Sequence, residues 1–289
     1  MDDNRVNIIY LMGAGRSGTT ILASLLGASK DILTIGEMHQ LLEHIVYDKN
    51  CSCGKPLEKC EFWTTIVSDY YKKGISELKK MDDYMVDVES HSKISLSFFK
   101  RNDKHVKFQE DFYAIITKLK PSKYYLDSAK FISRVLQLRK SDKLNVKIIY
   151  LVRDVRGVIN SFAKNVQTQK KPISTIIYYT MINTAAQIVK WTYPKEILKL
   201  KYEDFIENST DTLDKIEQFI NTDLTDVKDV IAHEKYIDMP HIIGGNRLKS
   251  QSKIKLRKDL AWKTNINRTK QILYYFLTLP LMLLNKYKL

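Results

Sequence analysis

The stretch Gly13-Ala14-Gly15-Arg16-Ser17-Gly18-Thr19-Thr20 follows directly on the apolar run Val6 to Met12, and Thr19 to Ala28 then has the composition of a helix. Strand, glycine loop and helix in that order begin an α/β unit. Further apolar runs at Ile32 to Ile35, Tyr124 to Leu126, Val146 to Val152 and Ile197 to Tyr202 read as more strands. The longest are rich in Ile, Val and Tyr without clean alternation, as in parallel strands covered on both faces. Helical patterns lie between them, at Val155 to Asn165 and around Leu213, Ile216, Phe219 and Ile220. Strands alternating with helices predict a central, mainly parallel sheet flanked by helices.

A loop that leaves a buried strand and enters a helix presents unpaired backbone N–H groups at the positive end of the helix dipole. Phosphate and sulfate bind naturally in such a place. Gly13, Gly15 and Gly18 allow a close approach, and Ser17, Thr19 and Thr20 add hydroxyl donors. In a Walker A loop the last glycine is followed by a lysine that reaches the outer phosphates. Here Thr19 takes that place and the cation is Arg16, two residues before Gly18. An ordinary kinase or nucleoside triphosphatase is therefore the weaker reading.

The rest of the chain bounds the partner and the compartment. Forty-seven Lys and Arg against 33 Asp and Glu leave a formal charge of +14, which favours an anionic ligand or surface, or reflects a lysine-rich composition throughout. The start, MDDNRVNIIYLMG, lacks the features of a signal peptide, no run reaches 18 apolar residues, and a cytoplasmic protein is expected. Residues 62–119 are helical in pattern and contain a single glycine, Gly74; they read as a helical insertion capping an acceptor pocket. Residues 268–289 read as an apolar C-terminal helix, either buried or resting on a membrane surface, that Pro280 should kink. Cys51, Cys53 and Cys60 cluster in CSCGKPLEKC. Zinc would need a fourth ligand, for which His44 is available, but C-x-C is not the usual zinc spacing; a reduced structural loop is expected and no metal is assigned. The whole chain, 1–289, reads as one domain.

A second motif gives the loop its meaning. In IIYLVRDVRGVINSF, Arg153 stands at the carboxyl end of a strand and Ser161 follows eight residues later, about two helical turns on. Taken together, RSGTT and this Arg/Ser pair resemble the sulfotransferases that use 3′-phosphoadenosine 5′-phosphosulfate (PAPS). The resemblance implies a three-layer P-loop-like fold and transfer of a sulfuryl group to a hydroxyl or amine acceptor, with adenosine 3′,5′-bisphosphate (PAP) as product and no metal required. It assigns Gly15, Arg16, Ser17, Gly18, Thr19 and Thr20 to the 5′-phosphosulfate, and Arg153 and Ser161 to the 3′-phosphate. GGNRLKSQSKIKLRKDLAWK is similar to the family's late basic loop, which would add Gly245, Asn246 and Arg247. KYEDF and CSCGKPLEKCEFW also resemble family segments, the latter without an assigned role.

Sulfuryl transfer needs a base for the acceptor proton and cations for charge that builds on the bridging oxygen. Gly36-Glu37 matches the Gly-Glu of the branches that use a glutamate base, so Glu37 is the first candidate and His39, two residues on, the alternative. Arg16 is the first candidate for charge stabilisation. Lys130, in YLDSAK, is the second, because that stretch resembles the family's strand-end D-S-[SA]-K segment. The acceptor is open: a glycan, a lipid, a peptidyl tyrosine or a small alcohol. Two rival readings remain, a P-loop small-molecule kinase and a non-catalytic basic protein for membranes or nucleic acid; the second lacks any recognisable nucleic-acid motif.

Overall fold

A computed structural model describes residues 5–164, 169–233, 236–245, 253–254 and 259–289. Five strands, β1 (Val6–Met12), β2 (Ile32–Gly36), β3 (Tyr124–Lys130), β4 (Leu144–Val152) and β5 (Ile197–Lys201), form one sheet in the order β2-β3-β1-β4-β5. All four pairings are parallel, with Ile8 beside both Tyr125 and Val146.

The sheet is buried on both faces because its strands alternate between two apolar clusters. Ile8, Tyr10 and Met12 of β1 join the first and Ile9 and Leu11 the second, while β4 divides Ile148 and Tyr150 from Ile149 and Leu151 in the same way. The second face is covered by α1 (Thr19–Leu26), α10 (Tyr202–Glu207), α11 (Ser209–Ile220) and α12 (Thr225–Ala232). Against the first pack α7 (Ile132–Leu138), α8 (Val155–Ala163), α9 (Pro172–Thr192) and the segment expected to be helical. After the short α2 (Leu41–Val46), that segment forms α3 (Thr64–Tyr71), α4 (Ile75–Glu89), α5 (Ile94–Phe99) and α6 (Asp103–Leu119). Its inward side chains Trp63, Val67, Phe112 and Tyr113 belong to the core, so the segment is a layer on the sheet as well as whatever it offers an acceptor.

β3 runs four residues past its apolar stretch, through Asp127 to Lys130. Buried polar groups persist in a strand only when they are paired. Asp127 accepts from the Arg134 guanidinium (Nε at 3.0 Å) and from the Ala129 amide (2.9 Å). Arg134, itself fully buried, also donates to Glu89 at 2.6 Å and to Gln109 at 2.9 Å, and Glu89 meets His105 Nε2 at 2.6 Å. Burial works against an ionised Glu89, yet Arg134 and His105 hold its carboxyl down at about 2. The insertion is thereby fastened to the polar end of β3.

The tail departs from one continuous helix. After the single-turn α13 (Trp262–Asn265), the chain forms α14 (Arg268–Leu277) and α15 (Leu279–Leu284), broken at Thr278 with Pro280 in the first turn of α15. Tyr275, Leu281, Met282 and Tyr287 are buried, while Leu273, Phe276 and Leu284 are exposed. Arg156 anchors this tail, lying 4.3 Å from the Trp262 ring centre and donating to the Lys288 carbonyl at 2.7 Å. No helix among the described residues is long and apolar enough to cross a membrane. The remaining strands, β6 (Ile237–Asp238) and β7 (Lys253–Ile254), form a separate antiparallel pair.

Candidate active site

Parallel strands bring their carboxyl ends to one edge, and the candidate residues are strung along it. Glu37 follows β2, Lys130 ends β3, the glycine loop follows β1, and Arg153 follows β4. Five segments distant in sequence thus meet, counting Tyr202 after β5, whose ring lies 4.2 Å from the Arg153 guanidinium.

Within the loop, Arg16 adopts φ 69° and Gly18 φ 94°. A side chain at Gly18 is excluded by space as well, since a Cβ there would come within 2.4 Å of the Tyr202 ring. No described side chain caps the start of α1, so its first-turn N–H groups are available to an anion. Ser17 is 1% exposed and its Oγ has no hydrogen-bond partner among the described residues, whereas the Gly15 N–H donates to Tyr178 Oη at 2.9 Å. A buried hydroxyl without a partner costs about 1–3 kcal/mol, and an anion in the loop would supply one. These residues fit a phosphate or phosphosulfate.

The second motif comes to the same place. Arg16 Nε donates to Ser161 Oγ at 3.0 Å, and Arg153 Nη1 donates to the Arg16 carbonyl at 3.1 Å. Arg153 is buried and faces Asp259, meeting its carbonyl at 3.2 Å and its carboxylate at 3.3 Å. Lys164 reaches the same carboxylate at 3.3 Å. Burial opposes charge on Asp259, but Arg153 and Lys164 hold its carboxyl below the usual range.

On the β2 side, the Lys130 ammonium forms a close ion pair with Glu37 Oε1, and Gln40 Nε2 donates to Glu37 Oε2 at 3.3 Å. Lys130 sits at φ 74°, where a bulge slips the β1–β3 register between Tyr10 and Met12. His39 packs on Phe131, with ring centres 4.6 Å apart, and its Nε2 lies 3.2 Å from the same Gln40 amide nitrogen, while its buried Nδ1 has no hydrogen-bond partner among the described residues. Burial outweighs the pull of Glu37 and lowers His39 to about 4, so the imidazole is neutral near pH 7. Phe131 stacks in turn on His91 at 4.9 Å, and His91 lies 6.1 Å from Tyr178. This aromatic path from His39 to the loop was not foreseen: Phe131, His91 and Tyr178 belong to no motif, and only packing joins them.

Of the late basic loop, Gly245 is described, at φ 93°, next to Gly244, which abuts Glu37. It therefore stands on the β2 side of the site, while Asn246 and Arg247 lie outside the described residues. A cleft of about 690 Å³ between Arg156, Glu203, Trp262 and Arg268 is lined by none of the candidates among the described residues.

The cysteine loop differs from its expectation. His44 is not beside the cysteines; its Nδ1 faces the Gln40 carbonyl at 2.9 Å. His241 occupies that place, and ligand-type atoms of Cys51, Cys53, Cys60 and His241 all lie within 4.8 Å of one another. The three free thiols and His241 thus form a donor set of the kind that can hold a metal ion.

Comparisons with known proteins bear on the fold and the family. No protein of curated function matches the chain. In fold, it is similar to the sulfotransferase domain from the curacin biosynthetic pathway (TM-score 0.55, 15% identity, covering 98% of this chain and 99% of that one). It is also similar to the sulfotransferase domain from the Synechococcus PCC 7002 olefin synthase (TM-score 0.53, 16% identity, 99% and 96% covered). The model of a sulfotransferase family matches residues 9–226, from the first strand through both motifs to the start of α12, and by that match the chain belongs to the sulfotransferase family.

Proposed function

We propose that the protein moves a sulfuryl group from PAPS to a hydroxyl or amine acceptor. The observation that carries this reading is the bonded set Arg16–Ser161 and Arg153–Arg16, which joins a phosphate loop to a second cation-bearing motif 137 residues away. A nucleotide with phosphates at both its 5′ and 3′ positions needs two such sites side by side; ATP needs one.

The donor supplies an activated S–O bond to a good leaving group. Loop N–H groups, Ser17, Thr19 and Thr20 hold its 5′ end, and Arg153 with Ser161 holds the 3′-phosphate. Glu37 takes the acceptor proton, while Lys130 and Gln40 fix its carboxylate in place. Arg16 and Lys130 offset charge as the bridging oxygen leaves. His39, kept neutral by burial, is the alternative base; as a proton acceptor it is weakened by the lowering that keeps it neutral. The insertion would shape the acceptor side, for a glycan, lipid, peptidyl tyrosine or small alcohol, and Gly245 with Asn246 and Arg247 would add to the donor site.

The test is calorimetric titration with PAP, AMP and ADP, followed by mass spectrometry of PAPS reactions with a mixed acceptor panel. PAP should bind far more tightly than AMP. Equal affinities would leave Arg153 and Ser161 without a 3′-phosphate to read and would overturn the reading.

A further inference from the structure

The most unusual cluster outside the strand-end site is the cysteine loop. Cys51-Ser52-Cys53-Gly54 folds as a tight hairpin, with the Cys51 N–H donating to the Lys55 carbonyl at 2.9 Å and the Gly54 N–H to the Cys51 carbonyl at 3.0 Å. This turn points two thiols the same way. Cys60, after a single 3-10 turn at Leu57–Lys59, adds a third sulfur 3.6 Å from that of Cys53. The fourth group comes from 181 residues further on: His241 Nδ1 lies 3.2 Å from the Cys60 sulfur and 3.9 Å from that of Cys51.

These spacings can be set against a metal. With Zn–S of about 2.3 Å and Zn–N of about 2.0–2.1 Å, the ligand atoms of a tetrahedral zinc are about 3.5–3.8 Å apart. The three observed separations lie close to that range. A disulfide needs sulfurs about 2.05 Å apart, and all three cysteines are free.

The imidazole is also held as a ligand would be. Its ring stacks on Phe62 at 5.9 Å and 14°, and the Trp63 indole N–H donates to the His241 carbonyl at 3.0 Å. Ser52, between the two hairpin cysteines, ties down both sides of His241. Its Oγ donates to the Pro240 carbonyl at 2.6 Å and accepts the Ile242 N–H at 3.0 Å, and its own N–H reaches the Ile242 carbonyl at 3.2 Å.

We propose that Cys51, Cys53, Cys60 and His241 form a structural zinc site that fastens residues 240–245 to the edge of the sheet. Four protein ligands leave no open position, which distinguishes a structural site from a catalytic one. Zinc replaces three thiol protons and binds the neutral imidazole; no oxidation is involved. The fastened segment is the one that borders Glu37. Gly36 bridges Ile243 in parallel fashion, the Glu37 N–H donates to the Ile243 carbonyl at 2.7 Å, and the Ile243 N–H returns to Ile35 at 3.2 Å. Gly36 has φ 89° and no room for a Cβ, which would stand 2.3 Å from the Ile243 oxygen. The metal therefore positions the backbone around Glu37 without touching substrate. The inference does not depend on the sulfuryl donor, because its test reads metal and not turnover.

Elemental analysis of the full chain, purified reduced from zinc-replete medium, should give about one zinc per chain. Anaerobic exchange with Co(II) should give the visible bands of tetrahedral cobalt together with thiolate charge transfer, a reading of the donor set that needs no substitution. His241→Ala should release the metal to a colorimetric chelator, His241→Cys should retain it with a stronger thiolate band, and His44→Gln should behave as wild type. Three titratable thiols in a folded chain that takes up neither zinc nor cobalt would overturn the proposal. So would a Cys53–Cys60 disulfide in the purified protein, or loss of metal from His44→Gln in place of His241→Ala.

Discussion

The two ends of the strand-end site are built differently. At the β1–β4 end, the donor residues of the two motifs lie within two short stretches, Gly13 to Thr20 and Arg153 to Ser161, and touch through Arg16, Ser161 and Arg153. At the β2–β3 end, Glu37 is held by Lys130 from β3, by Gln40 from its own turn and by Ile243 from the late segment. Behind Glu37, the amide of Met38 lies 3.4 Å from Asp127, which is locked to Arg134 and through it to the insertion. Both ends are joined by contacts between distant segments, but those of the first link two compact sequence motifs, whereas those of the second gather single residues from scattered segments around one carboxylate.

Substitutions at the two ends should therefore fail in different ways. The largest effect is expected at Glu37: Glu37→Gln should lower kcat by about 10²–10⁴-fold with PAP affinity little changed, whereas His39→Ala should keep most of the turnover. A larger loss from His39→Ala, measured under saturating PAPS, would transfer the role of base. Next is Arg134→Ala, which leaves Asp127 and Glu89 buried without their cation; breaking such a pair costs about 3–5 kcal/mol, readable by urea unfolding. If activity at the Glu37 end survived that change, the insertion would not be what holds it.

A smaller effect follows from His39. Burial lowers it to about 4 from the 6.5 of a free imidazole. As pH falls, the unfolded chain binds the proton first, so the contribution is present above about pH 6.5 and is lost between there and pH 4. It amounts to about 3 kcal/mol, and the stability curve of His39→Phe should be flatter over that window. Last is the donor end, where Arg153→Ala should weaken PAP binding by about 10- to 100-fold and leave AMP unaffected. If AMP weakens equally, Arg153 supports the loop and does not read a 3′-phosphate.

The same contrast explains what could be read before folding. β1 begins and ends where its apolar run does, and Arg16 of RSGTT meets Ser161 and Arg153 in the folded chain. Each is a local pattern in which backbone geometry and residue type are tied together. β3 was too short as read, because Asp127 to Lys130 look like a polar loop until Arg134 is packed against them. His241 gives no sign in the sequence, because nothing links it to a hairpin whose first cysteine lies 190 residues earlier, whereas His44 is near only along the chain. Tyr178, which accepts the Gly15 N–H, is one aromatic among several on α9, and its role exists only in three dimensions.

The contact between Arg153 and Asp259 has a consequence for how a nucleotide would enter. Arg153 already carries an anion of the chain's own, shared with Lys164. A 3′-phosphate would exchange with that carboxylate and not simply add to bare positive charge. The apparent affinity is then reduced by the fraction of molecules in which Asp259 stays in place. Because the carboxylate's charge is withdrawn as the phosphate's arrives, the negative charge gained around Arg153 is smaller than the phosphate's own, and nucleotide binding should weaken less steeply with salt than the +14 of the chain suggests.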